Sequence, residues 1–220
     1  MGGTAVRRTQ SDRRATTRTA LLTAAARGLS RYGYGNLVLE DVAKEAGYTR
    51  GALYHLFPNK ETLALAVVEW VGQTWEAEVL QPALAEVDPL ASLLTMARIH
   101  TVYCRRDAAA RVMLTLRVEF AGQDHPVGRV IGENTEALEV ACAKLIAEAR
   151  QRGSLPAGPP AALTARAFMG VLEAVAVELA GQDPHDVELM ERAVRGLLGV
   201  SPEPPSPPND VADDLVDPSS

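Results

Sequence analysis

Residues 38–63 read VLEDVAKEAGYTRGALYHLFPNKETL, two short helical patterns on either side of a glycine. The first pattern runs from about Leu39 to Ala46 and stops at Gly47. Thr49 is placed to cap the second, which ends near Phe57 and Pro58. Val42 and Ala46 lie one turn apart, and Leu53, Leu56 and Phe57 make the inner face of the second helix. Ala43 is small enough for close approach, and Gly47 can take the positive φ that a sharp turn requires. This arrangement turns Arg50, Gly51, Tyr54 and His55 outward.

A helix of this kind fits the major groove of double-stranded DNA, with residues near its N-terminus at the base edges. Arg50 sits there, and its planar fork matches guanine O6 and N7. Tyr54 and His55 come later and suit phosphate oxygens, while Gly51 and Ala52 keep the backbone close to the groove. The same pattern also fits an ordinary helical hairpin that packs Tyr54 and His55 on its neighbours.

Charge is unevenly spread along the 220 residues. The net charge is −6, yet residues 1–60 carry ten Lys and Arg against four Asp and Glu. A basic head on an acidic body points to a polyanion met by the head alone. A basic arm without a function has the same signature, so charge does not choose between them.

Hydrophobic residues make up 47% of the chain and aromatics 5%, with alanine and leucine dominant. That composition supports a sizeable helical core and lacks the β-branched and aromatic runs of strands. Cys104 and Cys142 stand far apart without a CxxC partner, so no metal site or disulfide framework is expected, and a reducing cytoplasm fits. The start, MGGTAVRRTQ, lacks a signal peptide's apolar segment, and Val6 breaks a myristoylation pattern. No stretch is long and apolar enough for a membrane span. No cofactor or catalytic motif is found: HExxH, P-loop and GxSxG are missing, and His55, His100, His125 and His185 are scattered. An enzyme is not expected.

Helical spacing runs through nearly the whole chain and predicts an all-α fold. Leu21, Leu22, Ala25, Leu29 and Tyr32 form one stripe that Gly33 ends. A long helix from Lys60 to about residue 80 carries Leu63, Ala66, Val67, Trp70, Val71 and Trp75, with Pro82 and Asp88-Pro89 bounding the next turn. Further helices fit 89–104, 107–121, 126–152, 161–181 and 185–199, with a Gly/Pro-rich break over Gly153–Pro160. The expected domains are a flexible basic arm over 1–14, a helix-turn-helix domain over 15–60, a body over 61–200 and a disordered tail over 201–220.

The quoted stretch resembles the DNA-binding region of TetR-type transcriptional repressors. Val42-Ala43, Ala46-Gly47, Thr49, Gly51, Leu53-Tyr54, Phe57, Lys60 and Leu63 carry the likeness, after a helix ending in Tyr32-Gly33. It covers roughly residues 16–65; beyond that only the architecture is similar. The resemblance implies about nine helices, a recognition helix starting at Thr49, and DNA contacts from Arg50, Tyr54 and His55. It implies a phosphate contact from Lys60. One departure is Val38, where the family often has a threonine that caps the second helix; capping could pass to Asn36.

The resemblance also implies a homodimer and a small-molecule effector bound by the body. One recognition helix reads few base pairs, so two half-sites about 34–36 Å apart, or a multiple, are expected. The all-round apolar helix 161–181 needs cover, and Phe168, Met169, Leu172 and Val175 with Met190, Val194 and Leu197 are the expected dimer face. For the effector pocket the expected residues are Met96, His100, Tyr103, Met113, Leu116, Phe120 and Asn134, all walls of helices four to eight. For each of them packing in the core is the competing role. Arg98 and Arg117 face either an anionic ligand or solvent. The readings kept open are a ligand-responsive repressor and a regulator that activates, or that answers to a protein partner.

Overall fold

A computed structural model of the chain describes residues 10–106 and 108–200. Nine helices make up the described residues, with no strand among them. They are α1 (Gln10–Tyr32), α2 (Leu39–Glu45), α3 (Arg50–Leu56), α4 (Lys60–Trp75, continuing through Glu76–Leu80 and Gln81–Leu84), α5 (Pro89–Arg106), α6 (Val112–Glu119), α7 (Pro126–Arg152), α8 (Ala161–Glu178) and α9 (His185–Leu198). A 3₁₀ turn at Ala108–Arg111 leads into α6, so the helix expected over 107–121 is shorter and in two pieces.

The expected arm over 1–14 is corrected in part. Residues 1–9 lie outside the described residues, as does the tail 201–220, but Gln10–Arg14 are the opening of α1. The side chains from Gln10 to Thr16 are exposed, so this end of α1 projects beyond the head. Pro82 does not end α4, as the sequence suggested. Proline lacks an N–H and crowds the carbonyl four residues back, here at Glu78. The helix widens into a π turn over Glu76–Leu80 and runs on to Leu84.

Two apolar cores form. One gathers Leu21, Leu22, Ala25 and Leu29 of α1, Val42 and Ala43 of α2, Leu53 of α3 and Leu63, Val67 and Val68 of α4. It also takes in Val112, Leu116 and Phe120 from the α6 region and Val127 and Ile131 from α7. The head therefore does not end at residue 60; its core is closed by the body's own helices. The second core joins α5, α7, α8 and α9 through Leu93, Met96, Cys142, Ile146, Phe168, Leu172, Met190 and Val194. In α9 the buried positions Asp186, Met190, Val194 and Leu198 recur every four residues and form one stripe. Asp186 is buried because the Arg105 guanidinium meets both its oxygens, at 2.7 and 3.0 Å.

Candidate DNA-reading head and cavity

Gly47 sits at φ +75°, and the Tyr48 N–H returns to the Ala43 carbonyl at 2.9 Å, closing α2 and setting α3 across it. Thr49 caps α3: its hydroxyl accepts from the Ala52 N–H at 3.2 Å. Leu53 and Phe57 are buried inward, while Thr49, Arg50, Gly51 and His55 are exposed and Tyr54 is half-buried against the core. A Cβ on Gly51 would meet only Thr49 Oγ1 at 3.9 Å, an ordinary contact. Glycine inside a helix costs about 1 kcal/mol against alanine. Nothing within the chain requires it there. Arg50 lies 5.2 Å over the Tyr54 ring and its Nε is 3.1 Å from Glu40 of α2.

Lys60 is placed differently from expectation. Its ammonium donates to the carbonyls of Tyr34 at 2.8 Å, Gly35 at 3.0 Å and Leu37 at 3.4 Å, and lies 4.9 Å from the Tyr34 ring. An ammonium has three donors, and all three are engaged. A lysine opening a helix works against the macrodipole, and the loop carbonyls offset that cost. In this state Lys60 is a brace of the α1–α2 loop and has no donor left for a phosphate. The Val38 departure has the effect its chemistry predicts: α2 has no side-chain cap. Asn36 does not take over, because its amide donates to the Tyr32 carbonyl at 3.1 Å and closes α1 instead.

The same loop is gripped from the body. Glu119, the last residue of α6, accepts from the Tyr34 N–H at 2.5 Å and the Gly35 N–H at 2.8 Å. Gly33, at φ +75°, leaves room for it: a Cβ there would come within 2.7 Å of the carboxylate. Tyr34 meets Phe120 and His125 edge-on, with centroids 5.2 and 5.0 Å away, and those two rings stack at 4.4 Å. No sequence pattern marked Glu119 or Tyr34, because the pairing spans 85 residues.

The other end of α6 borders a cavity of about 530 Å³. All of α4 to α8 contribute, through Trp75, His100, Met113, Asn134 and Met169 among others. Of the seven expected pocket residues, His100, Met113 and Asn134 line it. Leu116 and Phe120 do not, because α6 spends that stripe on α1 and turns Met113 and Leu114 to the cavity. Met96 and Tyr103 do not line it; both are buried in the second core, which also takes in Cys104. Trp75 Nε1–H donates to His100 Nδ1 at 2.9 Å. Burial pushes the His100 imidazole down to about 4 and the Cys104 thiol up to about 12, so both are neutral near pH 7. Glu173, in the same wall, is bonded by Arg117, and burial still raises its carboxyl above the usual range.

The expected dimer residues are corrected as well. Phe168, Met190 and Val194 are fully buried within this one chain. Met169 and Leu172 border the cavity, and Val175 and Leu197 are half-buried. The exposed faces of these helices carry Leu163, Ala167, Gly170 and Ala174 on α8 and Leu189 and Gly196 on α9. Helical spacing found an apolar helix but not which of its sides the chain itself covers. Among the described residues no group of three or more His, Cys, Asp or Glu could hold a metal, and no helix is long and apolar enough to cross a membrane.

A glycine-bent pair of short helices, capped and seated on α1 with its second helix exposed, defines a helix-turn-helix head on a larger helical body. The family described as bacterial regulatory proteins, tetR family, matches residues 21–67. The A-factor receptor protein of Streptomyces griseus is 31% identical over 123 residues, 55% of this chain and 42% of that protein. The HTH-type transcriptional regulator CymR of Pseudomonas putida is 43% identical over 65 residues, 30% of this chain and 32% of that one. The matched stretch thus spans well under half of these curated relatives. The crystal structure of AibR in complex with isovaleryl coenzyme A and operator DNA superposes with a TM-score of 0.71 at 20% identity, covering 84% of this chain and 100% of that one. The head, over residues 21–67, thus matches the TetR family of bacterial regulatory proteins.

Proposed function

We propose that the chain is a ligand-responsive transcriptional repressor that binds a pseudo-palindromic operator as a homodimer and is released by a small molecule held among α4 to α8. The observation that carries this reading is the position of α6. Its start borders the cavity, and its last residue, Glu119, holds the loop that connects α1 to α2. A ligand that shifts α6 acts on the head through hydrogen bonds, not through a distant wire. Exposed Arg50 and His55, with the unexplained Gly51, support α3 as the groove-facing element. Tyr54 stacks under Arg50 and orients it. Arg13, Arg14 and Arg18, exposed on the projecting end of α1, add phosphate-facing charge. The named relatives support the reading in kind, since AibR was crystallised with both an acyl-coenzyme A and operator DNA.

The dimer we propose forms through the outward faces of α8 and α9, where Leu163 is 58% and Leu189 44% exposed. A cavity of about 530 Å³ with a mostly apolar wall favours a small molecule over a protein partner as the controlling ligand. The test is selection of bound sequences from a random duplex pool with the full chain. The expected product is a two-fold consensus whose half-sites are about one helical turn, or a multiple, apart. A pool that stays random, at low salt as at high, rules the reading out.

A further inference from the structure

We propose that the cavity takes an uncharged, predominantly apolar molecule bearing a hydrogen-bond acceptor, and that the Nε2–H of His100 is the donor that reads it. The inference rests on the reading of the cavity as an effector site and goes on to its chemistry.

The proton on His100 is placed by its neighbour. An indole N–H only donates. Trp75 Nε1 lies 2.9 Å from His100 Nδ1, so Nδ1 is the acceptor and the neutral ring carries its hydrogen on Nε2. The group facing Nε2 is Cys104 Sγ at 3.5 Å. A thiol sulfur is a weak acceptor, and a buried N–H left with one is poorly satisfied. His100 and Cys104 both lie in the cavity wall. A ligand carbonyl or ether oxygen there takes the hydrogen bond that sulfur makes badly.

The charges of the wall select against ions. Three carboxylates, Glu69, Glu76 and Glu173, stand against one guanidinium, Arg111. Among the lining residues an anion has only Arg111 to pair with, beside the Glu173 carboxylate that Arg117 already holds. A cation fares no better: Glu173 is already taken by Arg117, and Glu69 and Glu76 lie exposed on α4 where water screens them. Most of the remaining wall is apolar, with Trp75, Leu80, Met113, Leu138, Met169 and Leu172. A charge entering it gives up its hydration without return.

The experiment uses the full chain and four probes of one length: 2-octanone, octane, octanoate and octylammonium. Binding is read from the fluorescence of Trp75 in the cavity wall and by calorimetry. The expected order is 2-octanone tightest, with both ions weakest. His100→Phe keeps a ring and removes the donor; it should lower the preference for 2-octanone over octane roughly fivefold and leave octane unchanged. His100→Gln restores an N–H and part of the preference. An ion binding more tightly than the ketone overturns the inference and leaves the regulator reading standing. So does His100→Phe with an unchanged ketone-to-octane ratio. Failure of all four probes to bind removes the effector cavity itself, and the inference with it.

Discussion

Gly51 separates what α3 does for the fold from what it does for DNA. Because a Cβ there meets nothing closer than 3.9 Å, Gly51→Ala should stabilise the chain by about 1 kcal/mol, seen as a higher midpoint in urea. The same variant should weaken operator binding at least about fivefold, since on the proposed reading the methyl stands where the duplex would approach. Greater stability with undiminished DNA affinity would remove α3 from the groove. Lys60 tests the opposite case. Lys60→Met keeps the stem and loses three bonds to loop carbonyls, so stability should fall by about 2 kcal/mol. The salt dependence of DNA binding should keep its slope; a slope lower by about one would return Lys60 to a phosphate.

At the scale of the element, α6 is eight residues long and amphipathic in an unusual way, with one face given to the head's core and the other to the cavity. Glu119 is its only charged grip on the loop among the bonds described above. Glu119→Ala should raise amide exchange over residues 33–37 by tenfold or more, with α8 and α9 unaffected. Exchange that stays slow over 33–37 means that Lys60 and the Tyr34–Phe120–His125 rings hold the loop without it. The Trp75–His100 pair has its own signature. His100 titrates near 4 in the folded chain and near 6.5 when unfolded. As pH falls from 6.5 to 4 the unfolded chain takes up the proton first, so stability is lost across that window, by at most roughly 3 kcal/mol. Cys104, Arg111 and the carboxylates of Glu69, Glu76 and Glu173 share the wall, and burial raises the Glu173 carboxyl above its ordinary value. Urea midpoints against pH should therefore fall less steeply for His100→Phe than for the parent chain.

For the whole molecule, the proposed dimer rests on the outward faces of α8 and α9. Ala174 is exposed on the outward face of α8, so Ala174→Arg should leave the helical signal and thermal midpoint intact and yield a monomer in sedimentation. A dimer that survives places the interface elsewhere. The contrast is with Phe168, which is fully buried in its own chain; Phe168→Ala should cost about 3–5 kcal/mol of stability whatever the oligomeric state.

The head was legible before any coordinates because its signals are local. A threonine three residues before the N–H it caps, a glycine at a bend and apolar residues one turn apart all act within about ten positions. The extents of α2 and α3 and the exposure of Thr49, Arg50 and His55 followed from these, whereas the start of α1 did not. What packing decided was which face of each helix meets which neighbour. Leu116 and Phe120 fit a pocket by spacing, yet α1 claims them; Phe168 and Met190 fit a dimer seam, yet their own chain buries them. The braces from Lys60 and Glu119 to one loop, and the proton placed on His100 by Trp75, join residues 23 to 85 positions apart. Helical periodicity says that a side is apolar; only the folded chain says what covers it.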